Sequence, residues 1–145
     1  MNDLIDESLR LGMVGGGRVG SIGRSHWTGA RLDGRWEVVA GVFSRDPDKS
    51  REQARAMRVD KDRVYRNFSD MANAESRRDD GIDAVTICTH NVTHHEIACA
   101  FIDRGIHVIC DKPLTTSVAN AADLVRRSRA QNVLFAVTYT YSGYP

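Results

Sequence analysis

A short apolar run, Leu11–Val14, leads at once into GGGRVG at positions 15–20. Gly15, Gly17 and Gly20 satisfy G-x-G-x-x-G, and a helix-compatible stretch, Ile22–Leu32, follows. Few local structures require glycine at that spacing. The strand must turn sharply, the backbone of the turn must lie bare, and the next helix must pack close to the sheet. Arg18 and Val19 sit inside the same turn. A strand–glycine–helix unit of this kind aims free N–H groups at whatever anion lies beyond the helix N-terminus. The bland alternative is a flexible turn with no ligand, and Gly23 opens the stretch further.

The rest of the chain repeats the alternation. Apolar runs at Trp36–Phe43, Asp83–Thr89, His107–Cys110 and Val133–Thr140 read as strands, with Val64–Tyr65 a minor one. Near-continuous apolar strands suit a parallel sheet covered on both faces. Helix signals separate them. Asp46 is a candidate N-cap with Pro47 at the first helical position. A second helix opens at Ser69. A third opens at Thr93, with Glu96 placed for a capping box and Gly105 as its stop. A last one runs from Thr116 through an Arg-rich end to Asn132. Repeated βαβ units with right-handed crossovers define a doubly wound, mostly parallel α/β sheet, the three-layer α/β/α Rossmann fold. The 145 residues suffice for one such domain, 1–145.

Composition narrows the partners. The net charge is +1, and the 20 basic residues are scattered among 19 acids, so neither nucleic acid nor an acidic membrane is expected. No apolar run is long enough to span a bilayer, and MNDLIDESLR does not read as a signal peptide. Cys88, Cys99 and Cys110 lie in apolar segments and read as reduced thiols of a cytoplasmic protein.

In a parallel sheet all C-terminal strand tips share one edge, where ligands bind. After the second strand the sequence is FSRDP. Ser44 takes the place of the acid that would hold a ribose hydroxyl, and Arg45 follows. A hydroxyl and a guanidinium suit a 2′-phosphate, which favours NADP over NAD. Asp46 could instead reach the ribose, and Arg45 could simply be solvated. The next tips carry Thr89, His90, Asn91 and His94, then Asp111, Lys112 and Pro113. Lys112 is one of only three lysines. His94 and His95 have no third ligand at metal-binding spacing, so no metal is expected.

GGGRVG, the stretch VTICTHNVTHHEIACAFIDRGIHVICDKPLTT and the closing YTYSGYP together resemble the N-terminal half of the glucose–fructose oxidoreductase, inositol dehydrogenase and rhizopine catabolism family (Gfo/Idh/MocA). The resemblance covers roughly Arg10 to Pro145. It implies an NAD(P)-dependent oxidoreductase acting on a sugar or polyol CH–OH group. It implies that Lys112 polarises or positions the substrate hydroxyl and helps shuttle its proton, with Asp111 orienting the lysine. It also implies that Gly15, Gly17, Arg18, Val19, Gly20, Ser44, Arg45, Thr89, Asn91, His94 and Lys112 line the cofactor. A lysine in a closing, partly apolar site loses its proton readily, which suits that role.

Three positions depart from the family pattern: Asp111 stands for a Glu, His90 for a Pro, and Thr140 for an amide. The last two bear on the substrate. The chain also stops at SGYP, where the family's C-terminal α+β substrate domain would begin. The resemblance therefore implies the cofactor half without that domain, with poor turnover alone. Self-association through Tyr139, Tyr141 and Tyr144, or a separate partner chain, is the accompanying expectation. Two further readings stay open. One is a non-catalytic dinucleotide sensor or partner module. The other is an S-adenosylmethionine enzyme, against which Ser44 and the Asp-Lys-Pro turn both argue.

Overall fold

The computed structural model describes residues 8–17 and 21–144. The expectations for Arg18, Val19 and Gly20 lie outside the described residues. Among the described residues five strands form one parallel sheet: β1 (Leu9–Gly15), β2 (Trp36–Val42), β3 (Ala84–Cys88), β4 (His107–Cys110) and β5 (Phe135–Val137). Their order is β2-β1-β3-β4-β5. The expected minor strand survives as a single parallel bridge between Gly41 and Val64 on the outer side of β2. With that bridge the order is that of a dinucleotide-binding sheet whose third strand has shrunk to one contact. The order reverses between β1 and β3, and the crevice at such a switch point is where ligands bind.

Helices cover both faces. Helices α1 (Ser21–Arg31) and α2 (Pro47–Met57) pack on Leu11, Met13, Val38 and Ala84. Helices α3 (Phe68–Glu75), α4 (His94–Ile102) and α5 (Val118–Ala130) pack on Val14, Val85, Ile87 and Val108. Alternate residues of β1 and β3 thus feed opposite cores, as a period of two requires. Full burial of β3 on both faces explains why AVTIC is a continuous apolar run rather than an alternating one.

Local chemistry sets the ends. Asp46 caps α2 by accepting from the Asp48 and Lys49 N–H groups, with Pro47 following as expected. Two expected caps are corrected. Helix α3 is capped by Asn67, which accepts from the Asp70 N–H, rather than by Ser69. Helix α4 has no side-chain cap. Thr93 sits in helical backbone at the end of a 3-10 turn, Asn91–Thr93, and its hydroxyl is drawn to Thr89 Oγ1 (2.8 Å) and His90 O (2.7 Å). The capping box with Glu96 therefore does not form. The last strand is also shorter than its apolar run. Val133 N–H closes α5 by donating to Ser128 O, and the chain turns into a 3-10 segment at Thr140–Gly143.

Among the described residues no helix is long and apolar enough to cross a membrane. Cys88, Cys99 and Cys110 are free thiols; Cys88 and Cys110 are buried and Cys99 is half-buried.

Candidate dinucleotide site

At the tip of β1, Gly15 and Gly16 both have positive φ, 87° and 77°, which only glycine adopts cheaply. The turn is also crowded. A Cβ on Gly15 would lie 2.5 Å from Cys88 O on β3, and one on Gly17 would lie 2.9 Å from Phe43 O beyond β2. The loop thus threads between the tips of its two neighbours with its backbone bare. That cradle, followed by the start of α1, fits the pyrophosphate of a dinucleotide.

Beyond β2, Ser44 Oγ accepts from the Asp46 N–H at 3.1 Å. The Asp46 carboxylate is committed to α2, with Lys49 Nζ a further 3.8 Å away. Arg45 is exposed. Asp46 is thus engaged at the start of α2, with its second carboxylate oxygen facing Lys49.

Beyond β3, Thr89 is half-buried and Asn91 exposed. His94 is the residue expected along the cofactor. It is fully buried, with Nδ1 2.9 Å from Pro113 O and Nε2 3.1 Å from Thr89 O. Its ring ties the β3 loop to the turn after β4.

That turn is Asp111–Lys112–Pro113, with a cis Lys112–Pro113 peptide. Asp111 is 8% exposed and Lys112 is exposed. The Asp111 N–H donates to Ile87 O (3.0 Å), and its carboxylate accepts from Thr138 Oγ1 (3.0 Å). The carboxylate also faces His26 Nε2 at 3.8 Å. His26 is a site neighbour that the sequence reading missed. It projects from α1, and its Nδ1 lies 2.7 Å from Thr86 Oγ1. Burial lowers the His26 pKa below the ordinary histidine value, against the upward pull of Asp111. The available signal was a polar residue four after Ile22, on the helix face that packs on the sheet.

Beneath these tips the thiols are inert. Burial pushes Cys88 and Cys110 up to about 12, and the Asp111 charge adds to both shifts. Outside the site, His95 meets Cys99 and Asp123, with Nε2 2.9 Å from Asp123 Oδ2 and 3.6 Å from Cys99 Sγ. A third group thus does join His95, contrary to the spacing argument, because α5 brings Asp123 back to α4. Arg126 and Arg127 both hold the same carboxylate, so the cluster is a polar clasp between two helices.

A glycine turn at the switch point of a parallel sheet defines a dinucleotide-binding Rossmann domain. The profile of the oxidoreductase family with an NAD-binding Rossmann fold, Gfo/Idh/MocA, matches residues 9–139, and the chain belongs to that family. It is 37% identical to the uncharacterized oxidoreductase YfiI of Bacillus subtilis over 97% of this chain and 36% of that protein. Two crystal structures are also similar. An oxidoreductase from Sinorhizobium meliloti is 45% identical, with a TM-score of 0.89 over 96% of this chain and 39% of that one. An inositol dehydrogenase homolog from Azotobacter vinelandii, complexed with NADH and myo-inositol, is 40% identical with a TM-score of 0.92, over 96% and 37%. The chain thus spans less than two fifths of these relatives.

Proposed function

We propose that this chain is the cofactor-binding half of an oxidoreductase that acts on a sugar or polyol hydroxyl. The observation that carries the reading is one sheet edge bearing both a bare glycine cradle and, two strands away, the Asp111–Lys112–Pro113 turn. Gly15 and Gly17 would hold the pyrophosphate, together with Arg18, Val19 and Gly20 of the same turn. Thr89 and Asn91 would border the ribose and nicotinamide. Lys112 would orient the substrate hydroxyl and move its proton, with Asp111 as the anionic neighbour that orients the lysine. When bound, the nicotinamide supplies the hydride acceptor or donor. His94 acts here through its two carbonyl contacts, which hold the loops together, rather than by touching the cofactor.

At the ribose, Ser44 and Arg45 favour a phosphorylated dinucleotide, since a hydroxyl and a guanidinium suit a phosphate and the Asp46 carboxylate is engaged as the cap of α2. The NADH held by the Azotobacter vinelandii relative supports the opposite choice. The myo-inositol in that same structure supports a cyclic polyol substrate class. Because the relatives are much longer, turnover is expected to need protein beyond these residues. Exposed Tyr139, Tyr141 and Tyr144 offer a face for such a domain or for a second copy. The free thiols suit a cytoplasmic setting.

Calorimetric titration with NADPH and NADH side by side tests the reading. Binding of NADPH ahead of NADH supports the Ser44–Arg45 assignment, and the reverse order returns the ribose to another group. Binding of neither defeats the cofactor reading for this chain.

A further inference from the structure

We propose that His26 is a positioning residue for Lys112, coupling the helix behind the glycine turn to the lysine at the tip of β4. The proposal rests on the function proposed above for Lys112. Its basis is a directional chain of polar groups running beneath the site. His26 projects from α1 to face Asp111, with its side chain only 8% exposed.

Counting donors fixes the direction of that chain. Asp111 as a carboxylate can only accept. A neutral imidazole facing it turns an N–H toward it from Nε2, which leaves Nδ1 as an acceptor. The partner of Nδ1 at 2.7 Å is the Thr86 hydroxyl, which then donates. Thr86 Oγ1 is left to accept, and Cys88 Sγ lies 3.9 Å from it. Each hydrogen has one acceptor, and every hydrogen runs toward Asp111. At 3.8 Å the last link is longer than a direct hydrogen bond but close enough for an imidazole dipole to act on a nearly buried carboxylate. Thr138, just past β5, holds the same Oδ1 from the other side. Asp111 is thus fixed between α1 and the end of β5, and Lys112 is the next residue in the chain.

The consequence is coupling. Helix α1 starts immediately after the glycine turn and packs on it through Gly23 and Gly16. A ligand seated on that turn bears on α1, and through His26 on the turn that presents Lys112. A buried histidine that merely filled space would not transmit this.

The test uses the three lysines, Lys49, Lys61 and Lys112. Reductive ¹³C-methylation gives one NMR signal for each, and Lys112→Arg assigns the third. In His26→Leu the Lys112 signal is expected to move in the free chain and to lose most of its response to added NADPH or NADH. Dinucleotide affinity should stay within about threefold, with Lys49 and Lys61 unmoved as a check on the fold. His26→Gln, whose amide can reach Asp111, is expected to restore most of the Lys112 response. A Lys112 signal in His26→Leu that matches wild type, free and with dinucleotide, overturns the proposal. Should His26→Leu fail to fold, Thr86→Val carries the test, since it keeps the volume and removes the donor to Nδ1. An unmoved Lys112 signal there overturns the proposal equally. If wild type binds neither dinucleotide, the proposed function fails, and the free-chain comparison alone decides the role of His26.

Discussion

A Cβ atom on Gly23 would lie 2.1 Å from the Cα of Gly16. Helix and strand tip therefore meet backbone to backbone, seven residues apart in the sequence. Close helix packing is a duty that the motif reading gives to a glycine, and Gly23 performs it here. Gly23→Ala cannot be absorbed by a rotamer change, because an alanine Cβ has no rotamer and the atoms it would meet are the Gly16 backbone. We expect a loss of about 1–3 kcal/mol in stability, the usual range for overpacking. The substitution should also weaken dinucleotide binding. Chemical denaturation and calorimetry on the same samples would check this, and a variant as stable as wild type would mean that α1 can slide without cost.

Arg45→Ala should weaken NADPH about tenfold, or about 1.4 kcal/mol, and leave NADH nearly unchanged. Ser44→Asp should go further and favour NADH, since it places a carboxylate where the 2′-phosphate would lie. Paired titrations of each variant read the ratio directly. Equal losses for both dinucleotides would move Arg45 from the ribose to a general electrostatic role.

The three thiols should separate by reactivity. Cys99 is half-buried, whereas Cys88 and Cys110 are enclosed and held up to about 12 by burial. In the native chain an aromatic disulfide reagent should titrate Cys99 first, and slowly, since burial raises that thiol too. All three should react in denaturant. The raised values also carry a stability consequence. Unfolded thiols ionise near pH 9 while the folded Cys88 and Cys110 stay protonated, so the unfolded state binds fewer protons there. Stability from this source is complete below pH 9 and drains away as pH rises toward about 12. Cys88→Ala and Cys110→Ala should each flatten that loss.

Acid should act through His26. Its folded-state pKa lies below the ordinary value of 6.5, chiefly because burial disfavours the charged ring. The unfolded chain then binds the extra proton first. The contribution is whole above about pH 6.5 and is lost as pH falls through the lower folded value. Denaturation midpoints measured from pH 7.5 down to pH 5 should fall in wild type and fall less in His26→Gln.

Much of this was legible because the signals are local. The glycine turn, the Asp46–Pro47 helix start and the strand His107–Cys110 each depend on neighbours a few residues away. Two of the misses share one cause, a partner brought from far along the chain. His26 meets Thr86 across 60 positions, and His95 meets Asp123 across 28. No spacing rule sees such pairs. The cap of α4 failed for a local reason: Thr93 already has helical backbone, and its hydroxyl donates to Thr89 Oγ1 and His90 O. At the last strand the apolar run outlasts the sheet, because β5 has a paired neighbour on one side only.

His94 and Asn91 divide the roles that the sequence assigns to them jointly. His94 is fully buried between Pro113 O and Thr89 O, whereas Asn91 is exposed at the start of its 3-10 turn. Removing the imidazole opens a cavity and leaves at least one buried carbonyl without its donor. His94→Ala should therefore cost about 2–4 kcal/mol, combining a cavity with a lost buried hydrogen bond. It should also loosen the Asp111–Pro113 turn, since Pro113 O loses its tie to α4. Asn91→Ala should leave the denaturation midpoint within about 0.5 kcal/mol of wild type, as for most surface changes. Its effect should appear in dinucleotide affinity instead. A His94→Ala chain that keeps its stability and loses only dinucleotide binding would return this histidine to the cofactor. The opposite pattern, unstable His94→Ala beside stable but weak-binding Asn91→Ala, separates the residue that holds the loops from the one that faces the ligand.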